Sequence, residues 1–322
     1  MSRKLLFISV AALGLGFSSA ACPQAYPSRT IRIIVPASPG GAADILSRTI
    51  AQKLSDAWGQ QVLVDNRTGA AGIIGAEAAA KAPNDGYTIM MGFAGVIAVN
   101  PSLYKTLPYD SVKDYAPVTL VAYSPLMLVV HPAVPANSVN ELIALAKAKP
   151  GQLNFASTGS GSTQHLSAEL FKSMAGISMT HIPYKGSSLA YPDLLAGNVS
   201  LMFENMLSML PNAKSGKVRA LAVTGAKRSA AMPELPTVGE SVPGYSAVGW
   251  YGVLAPAGTD AAIVNKLSAE INRILKLPEV SERLSSLGAE PAGTTPEEFA
   301  AHIRTEIAKW GAVVRDSGAR ID

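Results

Sequence analysis

Cysteine, aromatic residues and charged residues are all scarce in this sequence. Cys22 is the single cysteine among 322 residues, so no disulfide can form within the chain. Aromatic residues make up 6% and form no run beside basic residues, which argues against a nucleic-acid surface built on base stacking. Charged residues make up 16% against 48% hydrophobic residues, a balance that favours packed cores and argues against disorder.

Long hydrophobic runs are also missing, apart from the N-terminal stretch MSRKLLFISVAALGLGFSSAA. The basic pair Arg3 and Lys4, the short apolar run and the small residues after it predict a secretory signal peptide over residues 1–25. Lipid anchoring at Cys22 is less favoured, because Ser19 stands where a large aliphatic residue usually precedes a lipidated cysteine. No later apolar stretch approaches the ~20 residues of a membrane helix. We therefore expect a soluble protein in the periplasm.

The net charge is small. It is +4 for the whole chain, and removal of Arg3 and Lys4 with the signal peptide leaves 25 basic against 23 acidic residues, or +2. A chain so nearly neutral lacks the polybasic surface that binds nucleic acid or an anionic membrane.

Short apolar segments alternate with helical patterns along the chain, which predicts an α/β fold. Two blocks of this kind, starting at TIRIIVP and at LNFAS, each carry a Gly-rich loop between a strand and a helix. Because open parallel sheets bind ligands at the carboxyl ends of their strands, these loops are the candidate binding segments.

The first loop, in VPASPGGAADILSR, places Gly40 and Gly41 at the start of a helix. Unpaired N–H groups at a helix start attract anions. A triphosphate site is excluded, because no lysine follows Gly41, and the dinucleotide pattern G-x-G-x-x-G is absent. A smaller anion remains a possible ligand. Asp44, in the first helical turn, has a possible structural role as a hydrogen-bond partner of the exposed amides.

Two further loops carry open alternatives. In NRTGAAGIIGAE the small residues predict either a ligand contact or close helix–sheet packing. In ASTGSGSTQHLSAE the hydroxyls and glycines form a polar nest that suits a carboxylate. A serine hydrolase using Ser160 or Ser162 is the alternative, but the nucleophile motif G-x-S-x-G is absent. His165, one helical turn after Ser162, suits hydrogen bonding better than proton relay.

Metal chemistry has no support in the sequence. The four histidines, at positions 131, 165, 181 and 302, are scattered, and no H-x-x-x-H pattern or acidic cluster accompanies them. We expect neither a metal nor a cofactor.

Taken together, the segments resemble the periplasmic substrate-binding receptors of tripartite tricarboxylate transporters, also called Bug receptors. The resemblance is carried by IIVPASPGGAADILSR, VDNRTGAAGIIGAE, FASTGSGSTQHLSAELF, PYKGSSLAYPDLLAGNVSLMFEN and GVLAPAGT, in that order. It implies a two-lobed Venus-flytrap fold of the α/β class, with a ligand cleft between the lobes and no enzymatic activity. It divides the chain into lobe 1 at residues 26–125, lobe 2 at 126–251 and a return to lobe 1 at 252–322.

The resemblance also implies a small carboxylate as the ligand, membrane transporter subunits as partners and a monomeric receptor. A ligand-sensing subunit for a membrane signalling partner is an alternative of another class. Ala37 stands where the family commonly has an aromatic residue, so we expect a wider pocket that Leu189 and Tyr191 partly refill. The implied ligand-binding residues are Ser38, Pro39, Gly40, Gly41, Ala42, Ala70, Ala71, Ser157, Thr158, Gly159, Gly161, Ser162, Thr163, Asp193, Glu204 and Asn205.

Overall fold

The structure, a computed structural model, describes residues 26–317, in which strands and helices alternate as the α/β prediction requires. The predicted signal peptide and Cys22 lie outside the described residues. The strands are β1 (Ile31–Val35), β2 (Val62–Asn66), β3 (Thr88–Phe93), β4 (Tyr115–Val130), β5 (Asn154–Ser157), β6 (Thr180–Pro183), β7 (Leu201–Asn205), β8 (Arg219–Val223), β9 (Val248–Pro256) and β10 (Glu290–Pro291).

The helices follow the same rhythm and mostly begin just after a strand ends. They are α1 (Ala42–Trp58), α2 (Ile73–Ala80), α3 (Asn100–Leu103), α4 (Val139–Ala148), α5 (Thr163–Ala175), α6 (Ser187–Ala196), α7 (Met206–Lys214), α8 (Ala261–Leu275), α9 (Pro278–Ser286) and α10 (Pro296–Ser317). None of the helices between residues 26 and 317 combines the length and the apolar character of a membrane span.

Strand β4 belongs to two sheets. Its first half pairs with β9, which completes the order β2-β1-β3-β9-β4, and β10 pairs with it on the same sheet. From Leu126 onward it pairs with β7 and β8, and the second sheet has the order β6-β5-β7-β4-β8. The partner changes between Pro125, which faces Val248, and Leu126, which faces Asn205. The lobe boundaries at 125/126 and 251/252 stay a prediction, and this change of partner supports the first of them.

The first sheet is covered on both faces, which explains why its strands are mainly apolar. Alternate residues of β1 point to opposite sides, so Ile33 packs in a core with Leu46 of α1, while Ile34 packs in another with Phe299 of α10. The second sheet is also covered on both faces, by cores that include Phe155 on one side and Met202 on the other.

Turn chemistry sets where the helices begin and end. Helix α1 ends at Trp58, because Gly59 adopts a left-handed conformation (φ +62°) and its N–H bonds the carbonyl of Ser55. Five helices, α1, α2, α5, α6 and α7, begin in the loops that lie between the two sheets. The architecture thus brings several helix starts to one place.

Candidate ligand-binding cleft

A cavity of about 370 Å³ lies between the two sheets, beyond the carboxyl ends of β1, β3, β5, β6 and β7. This volume matches the clefts that hold small organic ligands. We call it the cleft cavity. Its lining residues are 36–38, 41–43, 68–72, 93–95, Tyr104, 158–160, 162–164, 183–187, Asn205 and 249–251.

The residues that precede five helices all line the cleft cavity. They are Gly41 before α1, Gly72 before α2, Ser162 before α5, Gly186 before α6 and Asn205 before α7. Only Ser162 accepts a hydrogen bond from its own helix through its side chain. At α6 the N–H of Ser188 donates instead to the hydroxyl of Ser38 in the first loop, at 3.5 Å. First-turn amides without a cap and the positive ends of the helix dipoles favour an anion in the space between them.

Only some residues of the first loop line the cleft cavity. Ser38, Gly41 and Ala42 line the cleft cavity, whereas Pro39 and Gly40 do not. The N–H of Gly40 donates to Asp44 Oδ2 at 3.0 Å. That amide is therefore engaged within the protein.

Asp44 has the structural role that its place in the first turn of α1 suggested. Arg48 donates to the same oxygen, Oδ2, at 3.0 Å. Burial raises the pKa of Asp44, but the hydrogen bonds from Arg48 and Gly40 outweigh it and the pKa falls below its ordinary value. The carboxylate is ionised at neutral pH and holds the turn before α1.

The second loop lines the cleft cavity and also packs closely against the sheet. Ala70 and Ala71 line the cleft cavity, and both have positive φ values, +46° and +51°, which side chains rarely adopt. A Cβ atom added at Gly72 would lie 2.9 Å from the carbonyl oxygen of Pro36, and one at Gly75 would lie 2.7 Å from that of Arg67. The two glycines thus allow close packing, while the alanines line the cleft cavity.

The third loop places most of its predicted residues on the cleft cavity. Thr158, Gly159, Ser162 and Thr163 line it, as does Ser160. Ser157 does not, because it is fully buried, with its hydroxyl 2.6 Å from Nε2 of His181. Gly161 is also absent from the lining, and its N–H donates to Nδ1 of His165 at 3.0 Å.

These hydrogen bonds do not form a hydrolase site. The Ser162 hydroxyl accepts the backbone N–H of His165, while the imidazole of His165 bonds Gly161. The serine–imidazole pair runs instead between Ser157 and His181, and Ser157 has no exposed surface with which to attack a substrate. The rings of His165 and His181 stack with their centroids 4.0 Å apart, and burial lowers the pKa of each to about 4.

Two of the predicted acidic residues lie outside the cavity lining. Asp193, on α6, accepts the Tyr184 hydroxyl at 2.5 Å and Nδ2 of Asn198 at 3.0 Å. Glu204 has no exposed surface and lies behind the wall, while its neighbour Asn205 lines the cavity. The prediction that these segments face the cleft thus holds for Asn205, whereas the two carboxylates contact other protein groups.

Several lining residues have no counterpart in the predicted set. Phe93 ends β3, Trp250 and Tyr251 belong to β9, and Gln164 and Ser187 lie in the first turns of α5 and α6. The aromatic residues lie in apolar strands, and the two polar residues follow Gly/Ser loops. Those were the signals available in the sequence.

The expectation that Leu189 and Tyr191 refill the space beside Ala37 is wrong. Ala37 does line the cleft cavity, but the other two do not. Leu189 is 54% exposed on α6, and the Tyr191 hydroxyl donates to the Ser208 hydroxyl at 2.9 Å.

Charge is sparse at the cleft cavity. Among its lining residues, Lys185 carries the single formally charged side chain at neutral pH, and it is exposed. Between residues 26 and 317, no group of three or more histidine, cysteine, aspartate or glutamate residues is placed to hold a metal ion. The polar groups at the cleft cavity are therefore mainly backbone amides, hydroxyls and side-chain amides.

Comparison with known proteins agrees with this geometry. The family described as "Tripartite tricarboxylate transporter family receptor" matches residues 46–319. Protein BugT from Bordetella pertussis is 40% identical over 323 residues, which cover 100% of this chain and 99% of BugT.

Two solved structures share both fold and sequence. Rpa4515 of R. palustris, solved with adipate, is 40% identical with a TM-score of 0.89, over 91% of this chain and 98% of that one. MatC from Rhodopseudomonas palustris, with bound malate, is 31% identical with a TM-score of 0.85, over 90% of this chain and 100% of that one. The predicted α/β fold of a two-lobed periplasmic binding protein is confirmed.

The hydrolase alternative is wrong, because the family and its structural neighbours are substrate-binding proteins and not enzymes. The match to the family covers most of the chain and the curated relative spans all of it. The chain belongs to the family of receptors of tripartite tricarboxylate transporters, the family that includes the Bug proteins.

Proposed function

We propose that this protein is a periplasmic receptor that binds a small organic carboxylate and delivers it to a tripartite tricarboxylate-type membrane transporter. The observation that carries the proposal is the convergence of five helix starts on one cavity whose lining holds a single formally charged side chain, the exposed Lys185. Each helix start favours a negative charge, and the two oxygens of a carboxylate can accept hydrogen bonds from the N–H groups that point into the cavity. Such a site has no arginine cluster, so the ligand can be released to a transporter.

The solved relatives support the ligand class. Rpa4515 was solved with adipate and MatC with malate, both small carboxylates. The family description favours transport over the sensing alternative. We further propose that the receptor acts as a monomer and reaches the periplasm through the signal peptide at residues 1–25.

The predicted site residues divide by the contact that we propose for them. Ser38, Gly41, Ala42, Ala70, Ala71, Thr158, Gly159, Ser162, Thr163 and Asn205 face the ligand, because all of them line the cleft cavity. Pro39, Gly40, Ser157, Gly161, Asp193 and Glu204 hold those residues in place through the turns and hydrogen bonds described above.

The proposal is tested by calorimetric titration with adipate and malate, with their dimethyl esters as matched neutral controls. We expect at least one of the free acids to bind and to raise the thermal unfolding midpoint, since a ligand stabilises the folded state by mass action. The esters should bind at least tenfold more weakly. Equal binding of acid and ester, or no binding by any aliphatic mono- or dicarboxylate of three to eight carbons, would contradict the proposed function.

Deletion of single hydroxyls is expected to weaken binding only modestly, because the backbone donors stay in place. Thr163→Val keeps the shape of the side chain and removes the hydroxyl that lines the cleft cavity. A hydrogen bond to an ionised carboxylate contributes about 1.5 kcal/mol or somewhat more, so Kd should rise about tenfold.

Ser162→Ala is the matched comparison. The Ser162 hydroxyl accepts the N–H of His165, so its loss should lower the free energy of unfolding by about 1 kcal/mol, as for other helix caps. Titration and urea unfolding of both variants check the two effects. A hundredfold loss of affinity in Thr163→Val would mean that the hydroxyl, and not the amides, holds the ligand.

A further inference from the structure

One wall of the cleft cavity carries a buried hydrogen-bond acceptor without a partner. Asn205, at the end of β7, lines the cavity and is only 5% exposed. Its Oδ1 atom makes no hydrogen bond to any of residues 26–317. A buried polar atom without a hydrogen-bond partner lowers the stability of the folded protein. An unpaired acceptor beside a ligand cavity therefore suggests that the ligand supplies the donor.

Glu204 fixes which end of the Asn205 amide is left unpaired. Nδ2 of Asn205 donates to Glu204 Oε1 at 3.1 Å, and the backbone N–H of Asn205 donates to the same oxygen at 2.8 Å. Rotation of the amide by half a turn would set Oδ1 against that carboxylate oxygen, two acceptors in contact. The amide therefore keeps its N–H₂ toward Glu204 and its oxygen away from it.

Glu204 itself is held by the neighbouring wall. Nε2 of Gln164 donates to Oε1 at 3.2 Å, and the Ser187 hydroxyl donates to Oε2 at 3.2 Å. Both donors line the cleft cavity, so one carboxylate orients three polar side chains of the wall. Burial raises the pKa of Glu204, and these hydrogen bonds to its oxygens act in the opposite direction.

The main chain of Gly249, which has no side chain, borders Oδ1. Gly249 lines the cavity, and a Cβ atom added there would lie 3.2 Å from Asn205 Oδ1 and 3.9 Å from the Tyr251 hydroxyl oxygen. The Tyr251 hydroxyl has no hydrogen-bond partner among the described residues, and it can donate or accept. The Ser124 carbonyl oxygen lies at the same 3.2 Å from that Cβ position, so this corner of the wall holds two acceptors and one adaptable hydroxyl.

We propose that Asn205 is a specificity-determining residue, and that the ligand is a carboxylate whose far end carries a hydrogen-bond donor, such as a hydroxyl or a primary amide, in place of a second ionised carboxylate. The inference rests on the proposed function and deepens it, since the helix starts hold the first carboxylate. An ionised carboxylate at the far end can only accept, so it would face Oδ1 acceptor to acceptor. A hydroxyl or primary amide donates to Oδ1 and accepts from Tyr251.

The test is a titration at pH 8 with matched ligands of four, five and six carbons. At each chain length the set comprises the dicarboxylate, its monoamide, the terminal hydroxy acid and the plain monocarboxylate. For six carbons these are adipate, adipamate, 6-hydroxyhexanoate and hexanoate. At the best-fitting length we expect the monoamide or the hydroxy acid to bind at least tenfold more tightly than both other members. A site built to bond a donor rejects analogues that lack it.

The outcomes separate the two proposals. A dicarboxylate or a plain monocarboxylate that binds as tightly as the monoamide and the hydroxy acid overturns the inference and leaves the proposed function standing. Failure of every member at every length contradicts both. These measurements use the unaltered protein, so they do not depend on the folding of a variant.

Substitution then assigns the effect to the residue. Asn205→Leu keeps the approximate shape and removes the acceptor, so the advantage of the monoamide over the plain monocarboxylate should fall from tenfold or more to less than threefold. Asn140→Leu, at an exposed position on α4, is the matched control and should keep the full advantage. An undiminished advantage in folded Asn205→Leu protein would remove Asn205 from the role.

Discussion

A valine in place of Gly41 is expected to abolish ligand binding while the protein stays folded. Gly41 has an extended conformation (φ −79°, ψ 170°) that any residue adopts. A Cβ atom there would lie 3.6 Å from both the Ser187 hydroxyl oxygen and the Ser38 carbonyl oxygen, an ordinary contact distance. The two methyl groups of valine reach further, into the space between the first loop and the start of α6. They cover the amides at the start of α1, so Kd should rise at least 100-fold.

The adjacent glycine provides a matched control. Gly40 has φ +79° and does not line the cleft cavity, and a Cβ atom there would meet nothing within 4 Å. Gly40→Val should therefore strain the turn and lower the free energy of unfolding by about 1–3 kcal/mol. The molecules that remain folded should bind within a few fold of the unaltered protein.

Calorimetric titration and urea unfolding of both variants distinguish a site residue from a turn residue. Gly41→Ala is a milder step in the same series and should fall between the unaltered protein and Gly41→Val. Normal affinity in folded Gly41→Val protein would take the first loop out of the site. A complete loss of binding in folded Gly40→Val protein would show that the turn itself, and not the obstruction, decides affinity.

The elements of the fold could be predicted from local patterns because each pattern has a local cause. The alternation of Ile33 and Ile34 between two cores follows from the period of a strand, and both faces are covered. Gly59 ends α1 through a left-handed cap that the sequence shows as Trp-Gly. The Gly-rich loops were identified because each stands between an apolar strand pattern and a helical pattern.

Side-chain direction was the part that local patterns did not determine. The sequence places Ser157 and Thr158 side by side, yet Ser157 faces the His181 side of β5 and Thr158 faces the cleft cavity. At the end of β7, likewise, Glu204 is buried behind the wall and its neighbour Asn205 lines the cleft cavity. Which of two neighbours faces the ligand depends on where the second sheet sits, and sequence spacing alone does not show that.

Gln164, Ser187 and Tyr251 were missed for a related reason. Each lies in a regular element rather than in a loop, and each has a plausible role elsewhere, as a helix residue or as a core aromatic. Their contribution depends on the meeting of α5, α6 and β9 at one cavity. That meeting is a property of the tertiary structure.

The buried histidine pair behind the third loop is expected to make the protein markedly less stable as the pH falls below 6.5. His165 and His181 stack on each other and on Phe155, with Glu169 3.7 Å from Nε2 of His165 and Lys172 also close by. Burial is the main reason that the pKa of each imidazole falls from 6.5 to about 4. For His165 the charge of Lys172 adds to the effect, and for His181 the neighbouring imidazole does so.

The direction of the effect follows from proton binding. Between pH 6.5 and pH 4 the unfolded chain holds protons on both histidines that the folded chain does not, so the free energy of unfolding rises with pH in this window. The stabilisation is fully present above pH 6.5 and is lost as the pH falls toward 4, by up to about 3 kcal/mol for His165 and by less for His181, whose charge solvent screens more. Glu240, whose pKa is lowered to about 2 mainly by its hydrogen bonds from Arg228, loses its contribution below this window.

Urea unfolding between pH 4.5 and pH 7 measures this dependence. His165→Asn keeps an acceptor for the N–H of Gly161, and His181→Phe keeps a ring to stack on Phe155, while each removes one of the two titrating groups. Each variant should show a shallower fall in unfolding free energy than the unaltered protein. Ser157→Ala removes the hydrogen bond to His181 and no titrating group, so it should lower stability at every pH and keep the steep fall. A fall of the same steepness in both histidine variants would mean that other groups cause the acid sensitivity.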